Sequence, residues 1–174
     1  QFAIMGSVMF EALEGVSARI GLLNIGEEVI KGNEQVRLAH ELIRQQKGLN
    51  YIGFIEGNDV FAGKADVIVC DGFVGNIALK SSEGLAKLIS RKVRRSVTRN
   101  LYRRLLAFLA YPVLRELQEQ MDPSRRNGAT LLGLQGIVMK SHGGANKNCF
   151  AYALEQAIIE VEQNVPSKIS ERLA

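Results

Sequence analysis

The sequence predicts an α/β protein built on a mainly parallel sheet covered on both faces by helices. Two observations carry that prediction. Strand-like and helix-like segments alternate four times along the chain, and the strand-like segments are apolar throughout rather than alternately apolar and polar. A strand buried on both faces reads as a continuous apolar run, and crossover helices supply the cover. With 174 residues, 47% hydrophobic and 23% charged, the chain is long enough for one domain with its own core.

In order, residues 1–15 (QFAIMGSVMFEALEG) read as a helix already under way, with Phe2, Met5, Met9 and Leu13 at helical spacing. The opening without a methionine leads to the expectation of a fragment whose N-terminal part has been removed. Residues 18–26 (ARIGLLNIG) form a first strand closed by glycine, followed by a polar loop. Residues 34–46 are an amphipathic helix with Val36, Leu38, Ala39, Leu42 and Ile43 on one face. Residues 49–57 are a second strand, 58–64 a turn-rich connector and 65–72 a third strand. From Asn76 the pattern is helical as far as Met121, with a kink near Pro112. A turn at 122–128, a fourth strand at 134–144 and a helix at 146–164 follow, and Pro166 ends that helix in a polar tail.

Several classes are excluded or disfavoured. Two cysteines are too few for a disulfide framework, and Cys70, closing an apolar run, reads as a small buried thiol in a reducing compartment. No stretch approaches the ~18–20 apolar residues that span a bilayer. The first basic residue is Arg19, so no signal peptide is expected. G-x-G-x-x-G, G-x-S-x-G, H-E-x-x-H and Cys/His clusters are all lacking, so no dinucleotide, serine triad or metal is indicated.

Ligands of open parallel sheets bind beyond the carboxyl ends of the strands. Four polar, glycine-bearing stretches fall there: 24–27, 56–59, 71–76 and 141–144. In the third, Gly72 and Gly75 allow close backbone approach, Asn76 suits an N-cap or first-turn position, and the helix start offers amides to an anion. Asp71 suits a ligand hydroxyl or donor; plain capping of a strand–turn–helix accounts for the same residues. His142, beside Gly143, suits a general acid, base or anion contact, or a structural hydrogen bond. Lys31, in the loop Lys31-Gly32-Asn33, suits a phosphate as a point charge, or is one more exposed lysine. His40 reads as a surface or satisfied structural histidine.

The net charge of +4 is unevenly spread. Nine of the 22 Lys and Arg lie between Leu85 and Arg115 with no Asp or Glu; elsewhere 13 basic residues face 18 acidic ones. Arg103 and Arg104 precede an uncharged run, Leu105 to Leu114, containing Leu106, Phe108 and Leu109. Three readings apply: a solvated helical pair packing on a partner, a nucleic-acid contact, or a membrane-surface element. The concentrated apolar tip favours membrane or dimer contact.

GLLNIGEE, KGNE, GLNYIGFIEGNDVF, ADVIVCDGFVGNIALKSSEGLAKLI and GATLLGLQGIVMKSHG, in this order, strongly resemble the bacterial PlsX family of acyl-acyl-carrier-protein:phosphate acyltransferases of phospholipid synthesis. The resemblance implies the C-terminal part of a protein about twice this length. It implies a three-layer α/β/α sandwich related to isocitrate dehydrogenases and phosphotransacetylases, with a projecting long helical hairpin. Residues 1–174 would then be part of one α/β domain, 76–121 its long helical segment and about 99–117 a membrane-associating tip.

It further implies acyl transfer from acyl-acyl-carrier protein to inorganic phosphate, without metal or organic cofactor. Lys31, Asn76 and His142 would be catalytic. Asp71, Gly72, Gly75, Asn33 and Gly143 would shape the substrate pocket, and Arg103, Arg104, Leu105, Leu106, Phe108 and Leu109 would meet the membrane. The run Ser141-His142-Gly143-Gly144-Ala145-Asn146 departs from the commoner A-H-G-S-S-D, which puts the roles there in doubt. A cytoplasmic homodimer, peripheral at the inner membrane face, is implied, with a glycerol-3-phosphate acyltransferase as downstream partner and no nucleic acid. The fragment alone is expected to be inactive. Two alternatives stand beside this: a phosphotransacetylase-like enzyme using acyl-coenzyme A, and a non-enzymatic module recruiting partners to membrane or nucleic acid.

Overall fold

The computed structural model describes residues 1–113, 115–116, 128–141 and 144–174. It is a mixed α/β structure with a small parallel sheet and many helices. Its contacts separate into two units, Gln1–Cys70 with Asn127–Ala174, and Asp71–Arg126.

In the first unit, α1 (Phe2–Glu14) leads into β1 (Arg19–Leu23), and α2 (Glu34–Arg44) carries the chain over to β2 (Asn50–Ile55). After a short 3₁₀ turn at Asp59–Phe61 comes β3 (Val67–Val69). The strands are parallel in the order β2-β1-β3, with a register shift at Ile20/Gly21 where β1 pairs β2. Ile20 and Leu22, two apart on the central strand, point to one face. They are buried there with Ala3 of α1, Ile43 of α2 and Phe54 of β2. Full burial of such aliphatic side chains stabilises by about 1.5–3 kcal/mol each. Farther along α1, Met5 and Val8 bury against Val165 and Ile169 of a C-terminal helix, so α1 packs on the sheet and on that helix alike.

At the amino ends of β1 and β3, Arg19 and Asp66 clamp the register. The Arg19 backbone N–H and Nε donate to Asp66 Oδ2 at 2.7 and 2.9 Å, and Nη2 donates to Oδ1 at 2.7 Å. Asp66 N–H returns a bond to the Arg19 carbonyl at 2.9 Å. These donors favour the charged carboxylate and pull Asp66 down to about 2.

The C-terminal part of this unit contains β4 (Ala129–Thr130) and β5 (Met139–Lys140), a short antiparallel pair, then α5 (Lys147–Glu162) and α6 (Val165–Leu173). Two sequence expectations are corrected here. The apolar segment 134–144 does not add a fourth parallel strand. Among its described residues only Met139 and Lys140 are strand, because the chain turns back through Gly133 and Gly136 and Leu131 N–H donates to the Val138 carbonyl at 2.9 Å. Pro166 begins α6 instead of ending α5 in a polar tail. At the first turn of a helix its missing N–H costs no hydrogen bond.

Two further expectations shift. Only Ile43 of α2 is buried, with Val36 and Ala39 half-buried; Leu38 and Leu42 are exposed, so the apolar stripe is narrower than expected. Cys70 is half-buried, whereas Cys149 is buried.

The second unit is helical: α3 (Gly72–Val97) and α4 (Leu101–Leu109), with residues 111–113 and 115–116 helical again. The helix therefore begins at Gly72, four residues before Asn76, because Asp71 caps it. The expected interruption near Pro112 is found, α4 ending at Leu109. A second, unforeseen break lies at Thr98–Asn100, where Asn100 Oδ1 accepts from Arg103 N–H at 2.9 Å and opens α4. Neither α3 nor α4 has a buried residue. The remainder of the helical span predicted to Met121, with Leu114 and the turn at 122–127, lies outside the described residues.

Candidate active site

The carboxyl ends of β1 and β2 gather the most polar side chains of the first unit. The loop from Asn24 to Asn33 follows β1, and the turn from Glu56 to Lys64 follows β2. Asn24 is buried and ties both together. Its N–H donates to the Ile55 carbonyl at 2.9 Å, and its Nδ2 donates to the Lys31 carbonyl at 3.3 Å. Gly32 follows at φ 88, a conformation that disfavours side chains, and any Cβ there would strike Asn24 Oδ1. Asn33 then caps α2, its Oδ1 accepting from Val36 N–H at 2.9 Å.

Lys31 is thus carried on a backbone held from both sides. Its Nζ lies 2.8 Å from Glu28 Oε2. The pair rests on Gly26, where a Cβ would collide with Lys31 Cδ and come within 2.8 Å of both Nζ and Glu28 Oε2. The hydrogen bond to Glu28, reinforced by the charges of Glu28 and Glu56, raises the Lys31 ammonium pKa. The same contact, led by Lys31, lowers that of Glu28.

A second lysine joins the two loops. Lys64 Nζ lies 2.5 Å from Glu27 Oε1 and 3.4 Å from Asp59 Oδ2, and its pKa is raised, chiefly by Glu27. Asp59 Oδ2 also accepts from Glu56 N–H at 3.0 Å, the largest cause of its lowered pKa. Two ammonium groups therefore face four carboxylates, Glu27, Glu28, Glu56 and Asp59. The cluster can hold an anion at a lysine such as Lys31 when carboxylates yield or further cations join.

The 71–76 stretch opens α3 in the second unit. Asp71 Oδ1 accepts from the N–H groups of Phe73 and Val74, both at 2.9 Å. Those first-turn amides, read from sequence as open to an anion, are occupied by the protein's own carboxylate. Gly72 is the first helical residue, and Gly75 N–H donates to the Asp71 carbonyl at 3.0 Å. Asn76 lies in the second turn, not at the cap, and is exposed with no side-chain hydrogen bond among the described residues.

Of the sequence-predicted site residues, the structure thus joins Lys31 and Asn33 in one loop, and Asp71, Gly72, Gly75 and Asn76 at one helix start. His142 and Gly143 lie outside the described residues. Arg103, Arg104, Leu105, Leu106, Phe108 and Leu109 are on α4, with Phe108 76% exposed. His40 is a satisfied structural residue, its Nδ1 2.8 Å from the Tyr51 hydroxyl and its ring stacked on Phe54. Sequence reasoning placed Asn24 within a polar strand-end stretch, 24–27, and missed Glu28 and Lys64 as parts of the site. Glu28 had a local signal, three residues before Lys31; the closer partner of Lys64, Glu27, is 37 residues away and gave none, while its longer contact, Asp59, is five residues away. Among the described residues, no group of three or more His, Cys, Asp and Glu could hold a metal, and no helix is long and apolar enough to cross a membrane.

The family described as Fatty acid synthesis protein matches residues 1–168. This chain belongs to that family. The resemblance to PlsX enzymes drawn from its motifs is borne out. Similar relatives carry the name Phosphate acyltransferase. The protein of Alkalilimnicola ehrlichii is 56% identical over 174 residues, 99% of this chain and 51% of its own length. Those of Alcanivorax borkumensis and Pseudomonas fluorescens are each 53% identical, over 99% of this chain and 52% of theirs. The chain spans about half the length of the curated relatives it matches.

Proposed function

We propose that this chain is part of a phosphate acyltransferase that moves a fatty acyl group from acyl-acyl-carrier protein to inorganic phosphate, giving acyl phosphate for phospholipid synthesis. The observation that carries the reading is identity of 53–56% over 99% of the chain to relatives named Phosphate acyltransferase. A phosphate oxygen attacks the thioester carbonyl, the C–S bond breaks, and the thiolate leaves with a proton. The protein must therefore hold a phosphate dianion and stabilise a developing oxyanion. Lys31, presented at the strand ends on a braced loop, is the phosphate or carbonyl contact. Asn76, whose amide is unengaged among the described residues, donates to the oxyanion or phosphate. His142, with Gly143 beside it, binds phosphate or protonates the leaving thiolate. Asp71, Gly72 and Gly75 shape the pocket wall, and Asn33 sets the entry to α2.

The same reading includes the three-layer α/β/α sandwich, with residues 76–121 as a projecting helical segment of a single domain. It also includes a homodimer and a cytoplasmic protein peripheral at the inner membrane face, with the acyl phosphate passed to a glycerol-3-phosphate acyltransferase. The exposed Leu105, Leu106, Phe108 and Leu109 beside Arg103 and Arg104 support the membrane contact.

The test is acyl-phosphate formation from acyl-acyl-carrier protein and phosphate, measured on this chain alone and within a polypeptide of the relatives' full length. The full-length protein is expected to be active and the chain alone inactive. Lys31→Ala or Asn76→Ala is expected to reduce the full-length rate at least ~100-fold, the scale of a lost oxyanion donor. Full rate in both variants would overturn the site, and faster turnover of acyl-coenzyme A would overturn the donor.

A further inference from the structure

Resting on the reading of Lys31 as the phosphate contact, we propose that Glu28 is an internal counter-ion that the substrate phosphate displaces from Lys31, which makes Glu28 the residue that sets phosphate affinity. Three observations carry it. The Lys31–Glu28 ion pair, at 2.8 Å, is made within one loop and ties no other element. Lys64, by contrast, bridges Glu27 and Asp59 on two loops, which fits a structural fastening. The pair lies directly over Gly26, which is buried, and a Cβ there would come within 2.8 Å of both Lys31 Nζ and Glu28 Oε2, so the two side chains would have to shift. The Lys31 backbone, meanwhile, is anchored by its own N–H to the Glu28 carbonyl at 3.0 Å and by Asn24, so the ammonium can change partner while its stem stays in place.

Exposure decides that the exchange is feasible. The side chains are 45% and 58% exposed, so the pair is screened and weakly held, and an anion of higher charge can replace the carboxylate at little cost. Glu28 holds the Lys31 ammonium in place in the absence of substrate. It also adds to an excess of negative charge, since Glu27, Glu56 and Asp59 already outnumber the cluster's two lysines, so its departure from Lys31 favours an incoming anion.

The experiment titrates inorganic phosphate into a polypeptide of the relatives' full length carrying this chain and follows heat of binding together with the nitrogen resonance of the Lys31 ammonium. Wild type is compared with Glu28→Gln, Glu28→Asp and Lys31→Ala. Glu28→Gln is expected to bind phosphate about two- to fivefold more tightly, the range set by an exposed ion pair. Its Lys31 ammonium should also lose its proton at lower pH than in wild type, because the raising partner is gone. Glu28→Asp, with the carboxylate withdrawn by one methylene, is expected to fall between. Unchanged or weaker binding in Glu28→Gln, with Lys31→Ala abolishing binding, overturns the counter-ion role and leaves the phosphate reading standing. Wild-type affinity in Lys31→Ala, or no binding in either wild type or Glu28→Gln, overturns both.

Discussion

The two units of this chain handle apolar side chains in opposite ways. In the first, Ile20, Leu22, Ile43 and Phe54 are withdrawn from water around a three-stranded sheet, and Met5, Val8, Val165 and Ile169 close a second cluster. In the second, two helices bearing Leu85, Leu88, Ile89, Val93, Leu105 and Phe108 bury none of them. A sheet supplies apolar surface from several strands at once, so a few crossing helices complete a core. A helical pair of this length has only a narrow contact of its own, and the rest of its apolar stripe remains available to another surface. The lesson is that stability resides in the first unit, while the second carries surface that is free to serve binding.

Three measurements would break or sharpen that contrast. The largest expected effect is in the sheet. Ile20→Ala, at a fully buried position on the central strand, should cost about 2–5 kcal/mol in denaturant unfolding, whereas Leu88→Ala on α3 should stay within about 0.5 kcal/mol. Equal losses would erase the distinction, and a large loss at Leu88 alone would mean that α3 is covered in solution.

Next is the buried polar contact of the first unit. Glu160 is fully buried, with Oε1 accepting from the Thr130 hydroxyl at 2.6 Å and Oε2 unpartnered among the described residues. Gln156 Nε2 also donates to Oε1, at 3.5 Å; Thr130→Val keeps the shape but strips the shorter of these two bonds, and should destabilise by about 1–3 kcal/mol. A neutral result would place the carboxyl's main partner elsewhere.

The smallest effect is a pH dependence. Asp66 is held at about 2, below the ordinary 3.8, so its folded form binds protons less readily than the unfolded chain. Its contribution is complete above pH ~4 and is lost as pH falls from there to about 2. Asp66→Asn should flatten the stability curve in that window and leave its shape above pH 5 unaltered. A curve as steep as wild type would remove the Arg19 clamp from the account.

Legibility followed the range of the interactions. α1, α2, α5 and the strands β1 to β3 were readable because periodicity and apolar runs are local properties. The start of α3 was misplaced because Asp71 and Asn76 are both competent caps, and only the backbone tells which one is used. Segment 134–144 was misread because an apolar run does not say whether its partner is a distant parallel strand or the segment just before it. At the candidate site, Lys31 stood out by its place after a strand. Its neutralisation by Glu28 and the Lys64 bridge did not, since charge pairs depend on where side chains meet.

The sequence by itself determined the α/β class, the concentration of basic charge between Leu85 and Arg115, and, through its ordered motifs, the family. These are fixed by residue type and spacing, which any fold must accommodate. Tertiary structure alone decided that Asn24 joins the ends of β1 and β2, that Lys64 spans 37 residues to reach Glu27, and that Glu160 is buried against Thr130. Each is a contact between side chains or loops far apart in sequence, and only the folded backbone brings them within reach.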